Sequence, residues 1–431
     1  MTTLSCGTLP GNTHAPTGPA LSVLSDGVRV PLAAGGEVEY AALDYAASAP
    51  ALRSVWADVA EFAPLYGSVH RGAGYLSQRA TELFERSRET VASFLGCRPD
   101  DRVVFTRSTT DSLNLLATAL PAGTHVFVFE TEHHAALLPW RRHHVTHLPA
   151  PRSHAAAVRA AESALAKAPA GAPKLLCVTG ASNVTGELWP VRELAAAAHR
   201  NGARIVLDAA QLVPHRAVDV SDLDVDWVAF SGHKLYAPFG SGVLAGRADW
   251  LDTAEPYLAG GGATRVVTRG ADGRLAAEWS AGEARHEAGS PNVIGAYAIA
   301  AACRALSAAG YGALTEHEER LLGVLRDGLA AVPAVRELSL FGPDAPRIAV
   351  VSFTVAGRDS AEFARELSER YGIGVRSGLF CAQPLVRRLL GEADTDGDCE
   401  GPVQAIRASF GAGTPAEHVH RLVRAVRELA G

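Results

Sequence analysis

The sequence predicts an α/β protein whose mainly parallel β-sheet is covered by helices on both faces. The 431 residues are 48% hydrophobic, which is enough apolar material for a large core. Short apolar runs alternate with Ala-rich segments of helical periodicity, an order typical of strand–helix–strand units. Strands of this kind are buried on both faces, so their sequences do not alternate between apolar and polar residues. The predicted strands are residues 103–106, 125–130, 174–180, 203–209, 227–232 and 242–247.

The chain divides into three predicted parts. Residues 1–40 are rich in Pro, Gly, Ser and Thr, and we expect them to form a partly ordered leader. Residues 41–300 contain the alternating strands and form the large domain, although residues 41–84 can pack with the small domain instead. In residues 301–431 the predicted helices and strands no longer alternate regularly, and their order predicts a smaller α+β domain. Within it, residues 391–402 are acidic and rich in turn formers, which predicts a surface loop.

The charge and cysteine composition exclude several classes of partner. The 46 acidic residues outnumber the 40 basic ones, the net charge is −6 and no basic block occurs, so nucleic acid and anionic membranes are not expected partners. The N-terminal segment lacks the features of a signal peptide, and no apolar run reaches about 18 residues. The cysteines form no CxxC pair. These observations predict a protein of the reducing cytoplasm.

Two predicted strands carry chemically active residues at their carboxyl ends. The strand in VLDAAQ ends at Asp208, and the next one runs into SGHKLYAPFG, which contains His233 and Lys234. Ligands bind at this edge of an open parallel sheet. Burial there lowers the pKa of a lysine, and the neutral amine can form an imine with an aldehyde cofactor. Asp208 on the neighbouring strand suits the pyridinium nitrogen of pyridoxal phosphate.

A third segment predicts a phosphate-binding helix terminus. TRSTTDSLNLLA at residues 106–117 indicates a strand end, a hydroxyl-rich turn and then a helix. The N-terminus of a helix offers free N–H groups and a positive dipole end to a phosphate. Thr109 and Thr110 add hydroxyl groups, and Ser231 and His233 complete the cup. The alternative interpretation is an ordinary capping box that starts at Ser108.

These motifs together resemble one family. VLDAAQ and SGHKLYAPFG, with EHHAALLPW before them and RHEAGSPN after them, resemble the class V aminotransferase group of fold-type I pyridoxal-phosphate enzymes. Within that group the chain looks most like the cysteine desulfurases of the sulfur-mobilisation type and the selenocysteine lyases. The resemblance runs from LDYAASAP at residues 43–50 to the C-terminus. It implies a seven-stranded large domain, a small C-terminal domain and a homodimer with shared active sites.

The resemblance assigns roles at the cofactor. Lys234 holds pyridoxal 5′-phosphate as an imine and later moves the proton at the substrate α-carbon. Asp208 pairs with the pyridinium nitrogen, Gln211 and Asn183 bond the ring oxygen, and His133 stacks on the ring. The phosphate-binding residues are then Ser108, Thr109, Thr110, Ser231, His233 and, reaching the cofactor of the other subunit, Thr264.

The resemblance also assigns roles at the substrate. Arg376 in GVRSG binds the amino-acid carboxylate, as a bidentate guanidinium can, with help from Asn183 and from Arg407 in IRASFG. Cys381 in RSGLFCAQP is the nucleophile: its thiolate takes the sulfur of L-cysteine as a persulfide and leaves alanine. A sulfur-acceptor protein is a further implied partner.

The sequence departs from the family beside the nucleophile. Leu379 and Phe380 stand where the family usually has histidines, so the surroundings of Cys381 are more apolar. A selenocysteine lyase, a C–S β-lyase, and an aminotransferase or epimerase in which Cys381 only packs remain open on the same scaffold. A relic without activity is disfavoured because the motif residues are intact. A metal site is also disfavoured, since no acidic or thiolate residue lies at helical spacing from the histidines in question, His133, His134, His143, His144 and His147.

Overall fold

The computed structural model describes residues 18–391 and 404–431. The predictions for residues 1–17 and for residues 392–402 of the acidic segment lie outside the described residues. The strands are β1 (Arg29–Pro31), β2 (Glu37–Glu39), β3 (Ala41–Ala42), β4 (Arg102–Thr106), β5 (His125–Phe129), β6 (His144–Leu148), β7 (Lys174–Thr179), β8 (Arg204–Asp208), β9 (Trp227–Ser231), β10 (Gly242–Gly246), β11 (Thr264–Arg269), β12 (Leu275–Trp279), β13 (Val335–Glu337), β14 (Val350–Val355), β15 (Ile373–Gly374), β16 (Arg376–Gly378) and β17 (Ala405–Ser409). The α-helices are α1 (Arg53–Phe62), α2 (Tyr75–Phe94), α3 (Thr109–Ala119), α4 (His134–Leu137), α5 (His154–Leu165), α6 (Val191–Arg200), α7 (Ala248–Thr253), α8 (Val293–Ala309), α9 (Tyr311–Ala330), α10 (Ser360–Tyr371), α11 (Gln383–Leu390) and α12 (Ala416–Ala430).

The main sheet has seven strands in the order β4-β10-β9-β8-β7-β5-β6. Strand β10 runs antiparallel to both of its neighbours, and the remaining pairs are parallel. Every residue of β9 and β10 is buried, as strands covered by helices on both faces must be. The prediction of a mainly parallel α/β sheet is therefore confirmed.

Strand β6 is the one strand of this sheet that the sequence analysis did not predict. It lies at the edge of the sheet and is mostly exposed, so it needs no apolar run. Its His144 ring stacks on His125 of β5, with 4.7 Å between ring centroids. His144 and His147 therefore belong to an edge strand, and no group of three or more candidate metal ligands occurs in residues 18–391 and 404–431.

The C-terminal part contains a four-stranded antiparallel sheet in the order β13-β14-β17-β16. Its core includes Phe353 of β14, Phe363 of α10 and Ile406 of β17. Strand β3 joins this part by pairing in parallel with β15. The pairing of β16 with β17 places Arg376 opposite Arg407, which brings two predicted substrate-binding residues to one point.

The two main hydrophobic cores meet along α9. Leu314, near the start of that helix, packs in the core of the large sheet, whereas Leu325 packs in the core of the C-terminal sheet. The predicted domain boundary at residue 300 falls inside α8, and the division into domains stays a prediction. No single helix in the described part of the chain is long and apolar enough to cross a membrane; α8 and α9 reach that length and hydropathy only jointly, across a bend of 82°.

Candidate active site

A cavity of about 240 Å³ lies at the carboxyl ends of β7, β8 and β9. One wall comes from the large sheet and the other from the C-terminal strands, because the segment around Cys381 reaches over the sheet edge. The cavity brings together all the predicted site residues except Thr264, namely Ser108, Thr109, Thr110, His133, Asn183, Asp208, Gln211, Ser231, His233, Lys234, Arg376, Cys381 and Arg407.

Lys234 and Asp208 form the base of the cavity. Lys234 ends a short 3₁₀ helix that follows β9, and burial lowers the pKa of its amine to about 8, although the nearby Asp208 carboxylate works in the opposite direction. Asp208 ends β8 and is 4% exposed, and its Oδ1 accepts a hydrogen bond of 3.0 Å from the amide of Ala210. Burial raises the pKa of Asp208, while Ala210 and Lys234 oppose that rise. The site thus holds an easily neutralised amine beside a buried carboxyl group.

The N-terminus of α3 forms a cup at one end of the cavity. Ser108 caps this helix by accepting a hydrogen bond from the amide of Asp111. The Oγ of Ser231, at the end of β9, lies 2.7 Å from both the amide nitrogen and the Oγ1 of Thr109. A Cβ at Gly242 would come within 2.7 Å of the Ser108 backbone, so only glycine lets β10 approach the cup so closely. Such a cup favours an anion.

His133 presents a neutral imidazole to the cavity. It precedes α4, and its Nδ1 accepts a hydrogen bond of 3.0 Å from the amide of Ala135, so the proton of the neutral ring is on Nε2. Burial, reinforced by the positive charge of Lys234, lowers the pKa of His133 to about 3. Burial and Lys234 also lower the pKa of His233. The neutral ring of His133 suits packing against a flat ligand rather than ion pairing.

Two side-chain amides hold the walls of the cavity. Gln211 donates from Nε2 to the carbonyl oxygen of Ala46 at 2.7 Å. Asn183 donates from Nδ2 to the carbonyl oxygen of Phe380, also at 2.7 Å. The predicted roles of both amides at a ring oxygen stay predictions, because here each one tethers a separate segment of the chain to the large sheet.

The two predicted arginines lie at the substrate end of the cavity. An acidic residue that the sequence analysis missed lies between them. Arg407 is 3% exposed, and its Nη2 donates to Asp44 Oδ1 at 2.8 Å. The Nη1 of Arg376, whose side chain is 51% exposed, lies 3.9 Å from the other oxygen of Asp44. Asp44 therefore bridges a deep arginine and a shallow one. Its position in LDYAASAP, where the family resemblance begins, was the available signal.

Glu132 is a second residue that the sequence analysis missed. Its side chain is fully buried, Oε1 accepts a 3.0 Å hydrogen bond from the amide of Thr179, and Oε2 has no partner among the described residues. Burial, together with the negative charge of Asp208, raises the pKa of Glu132. The signal in the sequence was the position of Glu132, directly before His133.

Cys381 is the exposed cysteine of the cavity, in contrast to the other cysteines that the structure describes. Burial raises the pKa of Cys97 to about 12 and raises the pKa values of Cys177 and Cys303. Cys381 and Phe380 both have left-handed backbones, with φ of 54° and 51°. The loop thereby turns back over the cavity and exposes the thiol.

Thr264 lies apart from the cup. It begins the β11–β12 hairpin, and its Oγ1 donates to the carbonyl oxygen of Gly260 at 2.8 Å. It lines a separate surface cavity that also contains Arg71 and Glu287. Its predicted contact with a phosphate in another subunit stays a prediction.

The comparisons with known proteins identify the family of the chain. The model of the family "Aminotransferase class-V" matches residues 41–422, and the chain belongs to that family. It is 35% identical over 397 residues to the cysteine desulfurase of Pectobacterium atrosepticum, covering 90% of this chain and 92% of that protein. It is 36% identical over 374 residues to the cysteine desulfurase of Dickeya dadantii, covering 84% and 85% of the two chains.

Solved structures match the fold over nearly the whole length. The apo structure of cysteine desulfurase from Thermococcus onnurineus superposes with a TM-score of 0.79 at 32% identity and covers 91% of this chain and 95% of that one. The cysteine desulfurase CsdA from Escherichia coli gives a TM-score of 0.77 at 32% identity, with 91% and 96% covered. The predicted family resemblance is confirmed.

Proposed function

We propose that the protein is a pyridoxal-phosphate-dependent cysteine desulfurase that converts L-cysteine to L-alanine and keeps the sulfur as a persulfide on Cys381. The observation that carries the proposal is the meeting of Lys234 and Asp208 with an exposed thiol in one cavity. The relatives named cysteine desulfurase support the same reaction.

The residues of the cavity fit pyridoxal phosphate. Lys234 has the depressed pKa that attack on an aldehyde requires, Asp208 is a buried carboxylate for the ring nitrogen, and the cup at Thr109 suits the phosphate. His133 supplies a neutral ring for stacking. When bound, this cofactor supplies an electron-withdrawing ring that stabilises negative charge at the substrate α-carbon.

The chain's own residues then orient the substrate and move its α-proton. The guanidinium groups of Arg407, deep in the cavity, and of Arg376, nearer the solvent, bind the carboxylate of the amino acid. The amine of Lys234, once released by the substrate amino group, takes the α-proton and later returns a proton to the three-carbon fragment. The pKa of about 8 keeps this amine able to act in both directions near neutral pH.

The sulfur transfer takes place at Cys381. Its thiolate attacks the substrate sulfur, an S–S bond forms, and the bond between sulfur and the substrate β-carbon breaks. The electron pair of the broken bond stays with the three-carbon fragment, which takes up a proton and leaves as alanine. Cys381 retains one added sulfur atom, so atoms and electrons balance. Because Cys381 is exposed, the persulfide can then pass to a reductant or to an acceptor protein.

Product analysis tests the proposal. The purified holoprotein is incubated with L-cysteine and a reductant, beside Cys381→Ala and the control Cys97→Ala, whose thiol has its pKa raised by burial. We expect equal amounts of alanine and sulfide from the wild type and from Cys97→Ala, and neither product from Cys381→Ala. Pyruvate with ammonia would indicate a β-lyase instead. Activity with selenocysteine alone would indicate a selenocysteine lyase.

We also infer that the working form is a homodimer. The β11–β12 hairpin carries the exposed apolar residues Val267 and Leu275, at 58% and 65% exposure, and begins at Thr264. Exposed apolar residues of this size on an extended hairpin favour a covering surface. A second copy satisfies this need and lets Thr264 approach the cup of that copy.

Light scattering of Val267→Glu with Leu275→Glu tests the dimer. The double variant is expected to be a monomer with weaker retention of pyridoxal phosphate, whereas the wild type is a dimer. A control with Val28→Glu, an equally apolar exposed residue of the leader, should remain a dimer. A monomeric wild type would contradict the inference.

A further inference from the structure

The loop that carries Cys381 is held in a strained conformation. Phe380 and Cys381 are consecutive left-handed residues, with φ of 51° and 54°, and neither is a glycine. Residues with a Cβ avoid this region unless surrounding contacts impose it. The contacts that impose it here must therefore decide where the thiol lies.

Both carbonyl groups of the strained pair are gripped from the large sheet side. Asn183 Nδ2 donates to the Phe380 oxygen at 2.7 Å, and the amide of His134 donates to the Cys381 oxygen at 2.8 Å. These two hydrogen bonds fix the carbonyl groups of the loop. The side chains must set how the loop is rotated around these two fixed points.

The Phe380 ring supplies the third contact. It is 6% exposed, packs with Val184 and Leu385, and lies under the guanidinium of Arg407, whose Cζ is 4.9 Å from the ring centroid. Arg407 is itself fixed from its edges by Asp44 and by the carbonyl oxygen of Asn183. The guanidinium of Arg407 thereby lies over a ring that belongs to the loop of the thiol.

We propose that Phe380 is a positioning residue for sulfur transfer: its ring, stacked on Arg407, holds Cys381 in the left-handed conformation that aims the thiol at the substrate. This proposal rests on the proposed function. In this proposal Phe380 links the carboxylate-binding Arg407 to the nucleophile Cys381. The Lys234 proton step needs no thiol, so we expect it to change little when the Phe380 ring is lost.

Two variants separate the ring from mere apolar volume. Phe380→Leu keeps a buried apolar side chain but loses the planar face, whereas Phe380→His keeps a planar ring. With L-cysteine under single-turnover conditions, Phe380→Leu is expected to slow persulfide formation on Cys381 by about three- to thirtyfold, the range of a cation–π contact. Phe380→His is expected to restore most of the rate.

A second reaction isolates the Lys234 step. Exchange of the α-proton of L-alanine in D2O needs Lys234 but no thiol, and at saturating L-alanine it should differ less than twofold between the wild type and Phe380→Leu. An equal fall in exchange and in persulfide formation would overturn the proposal, because it would show a general structural defect.

Hydrogen exchange of the backbone tests the clamp without any activity. The amides to follow are those of Ala382, bonded to Leu379, and His134, bonded to Cys381. In Phe380→Leu they should exchange about three- to thirtyfold faster, while the amides of α12 remain unchanged. Unchanged exchange at these two amides overturns the proposal. A wild type that forms no persulfide contradicts the proposed function alone, since the exchange experiment still decides the clamp.

Discussion

The two ends of the cavity are built in different ways. At the cofactor end, Asp208 and Ser231 each end a strand of one sheet, and Thr109 begins the helix beside them. At the substrate end, Asp44, Arg407 and the Cys381 loop come from three distant segments and meet through ion pairs, the pairing of β16 with β17, and the contact of Phe380 with Arg407. The cofactor end is therefore a frame built into one sheet. The substrate end is assembled from separate segments, and few substitutions can change its geometry.

The largest expected effect is at the cofactor end. Lys234→Ala should lower turnover by about 10³-fold or more, because the group that moves the α-proton is removed. The variant should also lose the yellow colour of the bound cofactor on dialysis. Lys174→Ala is the matched control, since the Lys174 amine bonds the carbonyl oxygen of Asn201 away from the cavity. Retained turnover in Lys234→Ala would disprove the assignment.

The next effect compares the two arginines of the substrate end. Arg407→Lys should lower kcat/KM for L-cysteine by about 10- to 100-fold, because a buried guanidinium that bonds both Asp44 and the carbonyl oxygen of Asn183 is lost and Asp44 is left poorly paired. Arg376→Lys should cost less than about tenfold, since the Arg376 side chain is half exposed. Steady-state kinetics shows which variant loses more kcat/KM. A larger loss in Arg376→Lys would mean that Arg376, and not Arg407, is the main carboxylate-binding residue.

A smaller effect is expected in the phosphate cup. Ser231→Ala removes the hydroxyl group that joins β9 to the first residue of α3 at Thr109. The dissociation constant for pyridoxal phosphate should rise about tenfold, as loss of one hydrogen-bonding group predicts. Titration of the apoprotein measures it, with the exposed Ser221→Ala as control. An unchanged constant would mean that the cup does not hold the phosphate.

The pH dependence of cofactor capture gives the finest comparison. Only the neutral amine of Lys234 attacks an aldehyde, so the capture rate should rise with pH and level off above a pKa of about 8. The Asp208 charge raises that pKa, so Asp208→Asn should move the midpoint to lower pH. Stopped-flow absorbance follows both proteins. A midpoint near the ordinary lysine value would contradict the burial of Lys234.

The sequence predicted the cofactor end better than the substrate end for a physical reason. Asp208 and Lys234 follow strands whose positions local apolar runs reveal, so their meeting at one edge follows from the fold class. Asp44 and the grip on Phe380 depend on contacts between segments far apart in the chain, which no local pattern contains. The edge strand β6 was missed because its exposed residues lack an apolar run.

The assignment of Cys381 as the sulfur carrier is decided by the mass of the peptide that contains it, measured after a single turnover with L-cysteine without reductant. We expect this peptide, and not those containing Cys97, Cys177 or Cys303, to gain one sulfur atom in amounts equal to the alanine released. Alanine formed without added sulfur on Cys381, or sulfur found on another cysteine, would contradict it.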